Sequence, residues 1–143
     1  MRGNHVRNLI RHLGPLTQLL AEARTAQVAE WSTHYEKVGP IEGIGLSTYT
    51  KFLNFLSVQV HGREALILDD RIIRIANRSV FDELAPLRGL NQDNAARSYP
   101  SYLMCMHSVA SGLEVPAEAI EFFLFEFGLN LKPPHPNDPF SDS

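Results

Sequence analysis

Two stretches of this chain carry residue types whose spacing could do chemistry. The first is Gly43-Ile44-Gly45-Leu46-Ser47-Thr48, and the second is Ile67-Leu68-Asp69-Asp70-Arg71-Ile72-Ile73-Arg74. A glycine-enabled turn set directly before an amphipathic segment leaves helix N–H groups without partners. Together with the helix dipole, those groups favour a phosphate oxygen. Contact of that kind holds a protein on a nucleic-acid backbone without reading its bases. The second stretch offers a carboxylate, Asp69, where a helix should begin. There it serves as a helix cap, as an acidic catalytic group, or as both.

The elements around these residues follow from periodicity and punctuation. Arg2, Arg7 and Arg11 precede a Gly14-Pro15 stop-and-start signal. A helix is then predicted over about 15–32, with Leu16, Leu19, Leu20, Ala23, Val28 and Trp31 forming a core-facing stripe. Gly39-Pro40 closes what precedes the turn. The helix after Gly45 should run to about Val60, with Tyr49, Leu53, Leu56 and Val60 on one face and Ser47, Lys51 and Asn54 on another. His61-Gly62-Arg63 is a break, and Ala65 to Leu68 approach a helix from Asp69 to about Asn77. That helix carries Arg71, Arg74 and Arg78 as a basic stripe, suited to phosphate contact or simply to a solvated face. A short helix plus loop over Phe81–Leu90 and helices over Arg97–Ser111 and Pro116–Phe127 complete the chain, the last ending at Gly128. No β-strand alternation of useful length is present.

The fold class is therefore all-α, a compact helical domain over 1–131 followed by a proline-rich tail, 132–143, expected to be extended or disordered. With 143 residues, 44% of them hydrophobic and 20% charged, the chain can bury one core. A net charge of −3 argues against binding nucleic acid by bulk electrostatics, so affinity must come from placed amides and cations. Cys105 is the only cysteine and the N-terminus lacks a long apolar run, which together predict a cytoplasmic protein. The apolar window Phe122–Leu129 is interrupted by Glu126 and too short for a bilayer, so no membrane association is expected. Cys105 with His107 is too small a set for zinc, and no metal or cofactor is expected. Phe122, Phe123, Phe125 and Phe127 point around the whole last helix. Most are expected in the core, the remainder needing cover from a protein partner. Tyr99, Tyr102 and His107 are candidates to stack on a base or to pack internally.

Taken together, Gly43-Ile44-Gly45-x-Ser47-Thr48 and Ile67-Leu68-Asp69-x-x-Ile72-x-Arg74 resemble the helix–hairpin–helix DNA glycosylase superfamily of endonuclease III-like, 8-oxoguanine and mismatch-adenine glycosylases. More narrowly the chain looks like small bacterial proteins with an 8-oxoguanine glycosylase fold, some of which accompany antiphage defence genes. The resemblance implies duplex DNA as partner, backbone contacts from Gly43, Ile44, Gly45, Leu46, Ser47, Arg71 and Arg74, and Asp69 as the catalytic carboxylate. Such an enzyme flips the damaged or mismatched nucleotide out of the stack and uses the carboxylate against positive charge developing on the sugar.

Bifunctional members place a lysine nucleophile two residues after the second hairpin glycine, where this chain has Ser47. The mainly monofunctional mismatch-adenine type has serine there too. Lys51, one turn further on the same polar face, is the remaining amine candidate. Glu42 stands where proline is common, and little chain precedes the hairpin to form a second helical domain, which a companion protein would then supply. Two readings stand: a monofunctional N-glycosylase acting through Asp69, or a non-catalytic helix–hairpin–helix module binding DNA or protein, accessory to a defence complex.

Overall fold

The computed structural model describes residues 13–78 and 80–130 of the chain. The N-terminal arginines and the tail, on which expectations were placed above, lie outside these residues. Helix α1 (Leu13–Ala26) carries Pro15 in its first turn, where a missing N–H costs nothing, and turns Leu16, Leu19 and Ala23 inward. It does not continue to residue 32 as the periodicity suggested. Gln27 takes a φ of 60°, and Val28 leaves the helical path to form a parallel bridge with Val60. The Val28 N–H donates to Gln59 O (2.9 Å) and the His61 N–H donates to Val28 O (2.8 Å). Helix α2 (Trp31–Glu36) then restarts the chain.

Helix α3 (Leu46–Phe55) likewise stops at Phe55 rather than near Val60. Strands β1 (Gln59–Val60) and β2 (Arg63–Glu64) pair antiparallel across His61-Gly62. Both turn residues have positive φ, 51° and 76°, as a two-residue hairpin of matched twist requires. The break expected at this point is therefore a hairpin turn, and its strands are too short for alternation to have shown.

Helix α4 (Asp70–Ala76) follows, then a 3₁₀ helix (Asp82–Leu87), α5 (Ala95–Leu113), and α6 (Ala117–Phe127) running into a 3₁₀ turn (Gly128–Asn130). The described chain is thus mostly helical, as expected, with one minimal hairpin. One hydrophobic core draws residues from every helix and from β1. Trp31 sits in it, stacked on Tyr35 and tilted against Tyr99, its Nε1–H donating to Ala96 O (2.6 Å). Helix α6 packs on α5 and α4 through Ala117, Ile120, Glu121, Leu124 and Gly128. Its phenylalanines are not core: Phe122, Phe123, Phe125 and Phe127 are 64%, 42%, 40% and 51% exposed. The inward stripe is taken by smaller residues because α4 lies close. A Cβ on Gly128 would stand 2.6 Å from Ile75 Cδ1, so this glycine serves close approach rather than a left-handed stop. Among the described residues no helix is long and apolar enough to cross a membrane.

Candidate nucleic-acid interface

The turn before α3 is held from beneath. Ile41 and Ile44 are buried, the Ile44 N–H donates to Ile41 O (3.3 Å), and Gly43 supplies the positive φ (87°) that reverses the chain between them. Glu42 is exposed at the turn's tip. Gly45 then occupies the N-cap position with extended backbone, and no side chain caps the helix. The first helical bond runs from the Tyr49 N–H to Gly45 O (3.0 Å). The N–H groups of Leu46, Ser47 and Thr48 accordingly have no acceptor among the described residues, the condition that attracts an anion to a helix end.

Asp69 caps α4: its Oδ1 accepts from the Ile72 N–H at 3.1 Å. Among the described residues its other oxygen has no hydrogen bond, and the side chain is half-buried. Thr50 ties this position to the hairpin helix. Its buried hydroxyl donates to Ser47 O (3.1 Å) and accepts from the Leu68 N–H (3.1 Å), so one side chain links the first turn of α3 to the residue before Asp69.

The two stretches meet at one open cleft of about 310 Å³, lined by Gly45, Leu46 and Ser47 on one side and by Leu68, Asp69, Asp70, Arg71 and Ile73 on the other, with Gln92 at its edge. Gln92 arrives there through Asn77, whose Oδ1 accepts from the Gly89 N–H (2.8 Å) and whose amide donates to Leu90 O (2.7 Å). Its own amide donates to Asp70 Oδ1 (3.2 Å).

The arginines of α4 have separate engagements. Arg71 lies at the cleft, with its guanidinium 4.3 Å from the Phe125 ring centroid and Nη1 donating to Phe125 O (3.0 Å). Arg78 Nη1 donates to Leu129 O (2.6 Å). Both therefore meet carbonyls at the C-terminal end of α6, where cations are favoured. Arg74 is exposed and pairs with Asp70 at 3.1 Å. Lys51 is exposed on α3 and does not line the cleft. Tyr99 and Tyr102, candidates for stacking on a base, are fully buried and donate to Leu66 O (2.6 Å) and Ile67 O (2.7 Å). Rings without exposed faces cannot stack on a nucleotide. His107 is half-buried against Glu64 O (2.9 Å).

Behind Asp69, Glu121 of α6 accepts from the Ile67 N–H through Oε2 (2.6 Å). Burial pushes its carboxyl up to about 7, opposed by that N–H and reinforced by Glu118, Asp69 and Glu64. No group of metal-ligating side chains occurs among the described residues.

Residues 2–125 match the family model described as Putative 8-oxoguanine DNA glycosylase OGG-like protein. The chain belongs to that family. No curated protein and no solved structure matches it. The matched span of this OGG-like chain includes the hairpin, Asp69 and Glu121. Sequence reasoning overlooked Thr50, Gln92 and Glu121. Gln92 and Thr50 carry no signal in an isolated sequence, but a glutamate on the inward stripe with Ile120 and Leu124 was a visible anomaly in the periodicity.

Proposed function

We propose that this OGG-like chain is a monofunctional DNA N-glycosylase that removes a damaged or mismatched base, with Asp69 as its catalytic carboxylate. The observation that carries the reading is the shared cleft: an uncapped helix N-terminus and a half-buried carboxylate line the same space. The amides of Leu46, Ser47 and Thr48 would hold a backbone phosphate. A nucleotide flipped out of the duplex would then bring its sugar to Asp69. Oδ1 is committed to the cap, and the other oxygen is free of protein partners among the described residues. That oxygen would face the sugar as its glycosidic bond lengthens, stabilise the oxocarbenium-like transition state, and orient the attacking water. Ser47 offers no amine, so release of the base should leave the strand intact.

Arg71 at the cleft and Arg74 beside it would reach neighbouring phosphates only by giving up their partners, Phe125 and Asp70. Action on chromosomal or invading DNA would set the protein in the cytoplasm. The four exposed phenylalanines of α6 support a companion protein, within a defence complex or otherwise, that covers this face.

The test compares wild type with Asp69→Asn for release of bases from duplexes bearing oxidised, deaminated or mismatched bases, and for binding to an abasic-site analogue. Wild type should release a base and Asp69→Asn should lose at least about a thousandfold in rate while still binding the analogue. Borohydride trapping should give no covalent adduct; an adduct lost in Lys51→Ala would assign the amine role to Lys51. The rival reading, a non-catalytic module, is favoured by the cap that Asp69 makes. It wins if both proteins leave every substrate intact and bind DNA equally.

A further inference from the structure

The chain that delivers Asp69 to the cleft is neither strand nor helix, yet its backbone is gripped from several directions. Asn54 Nδ2 donates to Ala65 O (2.9 Å), the Tyr99 hydroxyl to Leu66 O (2.6 Å) and the Tyr102 hydroxyl to Ile67 O (2.7 Å). The Ile67 N–H donates to Glu121 (2.6 Å) and the Leu68 N–H to Thr50 (3.1 Å). Side chains from α3, α5 and α6 thus replace the ladder that a sheet would supply. Of these holders only Glu121 ionises near neutral pH.

We propose that Glu121 is a positioning residue for Asp69: its carboxyl group and the Tyr102 hydroxyl grip the N–H and C=O of Ile67, fixing how the aspartate enters the cleft. The proposal deepens the glycosylase reading and rests on it for its catalytic consequence. The groups facing Glu121 are Glu118 on its own helix, Glu64 from β2, Asp69 at the head of α4, and Tyr102 and Tyr99 from α5. None of them is a cation. His107 of α5 lies next to Glu64, 2.9 Å from its carbonyl oxygen, and draws the Glu64 carboxyl down against the burial and the Glu118 carboxyl that raise it. A glutamine would make the same bond to Ile67 without adding charge to an acidic neighbourhood, so packing does not account for the carboxyl. The negative charge of Asp69 helps hold the Glu121 carboxyl up, so the two groups lie within each other's field.

The experiment follows side-chain carboxyl resonances and backbone amide exchange by NMR in the full chain, in wild type, Glu121→Gln and Glu121→Ala, with base release measured across the same pH range. In wild type the Asp69 resonance should show a second inflection where Glu121 titrates, and Glu121→Gln should remove it. Glu121→Ala should speed exchange of the Ile67 amide at least about tenfold, while Glu121→Gln keeps it protected. Base release should lose its inflection near neutrality in Glu121→Gln, with binding to an abasic-site duplex unchanged. An Asp69 resonance blind to Glu121, or an Ile67 amide equally protected in Glu121→Ala, overturns the proposal. Should Glu121→Ala fail to fold, the isosteric Glu121→Gln still decides it through the Asp69 titration. If wild type releases no base, the glycosylase reading falls, and the two NMR measurements judge the Glu121 coupling independently.

Discussion

Asp69 has a job the structure shows, the cap, and one that is proposed, and both use the same carboxylate. One oxygen satisfies the Ile72 N–H at the start of α4, which is sufficient reason for an aspartate there. The residue also lines a cleft shared with the first turn of α3. Substitution separates the jobs, because asparagine caps a helix about as well as aspartate and alanine does not. Asp69→Asn should change unfolding free energy by no more than a few tenths of a kcal/mol, whereas Asp69→Ala should cost about 1 kcal/mol. Denaturant melts of the two variants check this. If Asp69→Asn destabilises as much as Asp69→Ala, the charge rather than the cap holds α4, and loss of activity in Asp69→Asn would no longer report on chemistry alone. Glu121 is out of place on an inward stripe by hydrophobicity, and the Ile67 N–H from which it accepts explains its presence.

Helix α3 begins without a side-chain cap. Gly45 has extended backbone and open space where a Cβ would go, so a side chain would fit without strain. Aspartate at an N-cap position is among the strongest helix starters. Gly45→Asp should therefore stabilise the fold by a few tenths of a kcal/mol. It should also weaken binding to duplex DNA by about tenfold, since the new carboxylate takes the amides and repels the phosphate. Thermal melts and fluorescence anisotropy would read the two effects; binding that is unchanged in the stabilised variant would remove the phosphate from this helix end.

The glycine turn and α4 were legible in the sequence because each carries its own local punctuation: Gly43 with its positive φ, and Asp69 before an apolar run. The break at Gln27 was not. Val28 and Trp31 are both buried, so the apolar spacing runs on through a change of backbone imposed by pairing with β1. The inward face of α6 was hidden for a related reason. Phenylalanine outranks alanine and glutamate in hydrophobicity, but the close approach of Ile75 at Gly128 admits only the smaller side. Tertiary contact overrode the local pattern in both places. Convergence of the hairpin and Asp69 on one cleft was anticipated only through resemblance, because no spacing in a single sequence says that the Thr50 hydroxyl links Ser47 to Leu68.

For the whole molecule the deciding quantity is charge. The chain carries −3 overall, and the cations nearest the cleft are already engaged, Arg71 with α6 and Arg74 with Asp70. A phosphate held mainly by neutral backbone amides releases few counterions, because amides displace none of the condensed cations that a lysine or arginine would replace. Binding to duplex DNA should then weaken only gently with salt, with a log–log slope of about −2 to −3, corresponding to two or three phosphate neutralisations. Anisotropy titrations of one duplex at several salt concentrations give the slope directly. A value steeper than about −6 would mean that a basic surface does the binding, and the amides of α3 would lose their place as the principal anchor. A gentle slope that becomes no shallower in Arg71→Ala, combined with lost affinity in Gly45→Asp, would locate the anchor at the helix end: neutral donors fixed by Ile41 and Ile44 beneath the turn, acting at short range in a protein whose overall charge opposes its ligand.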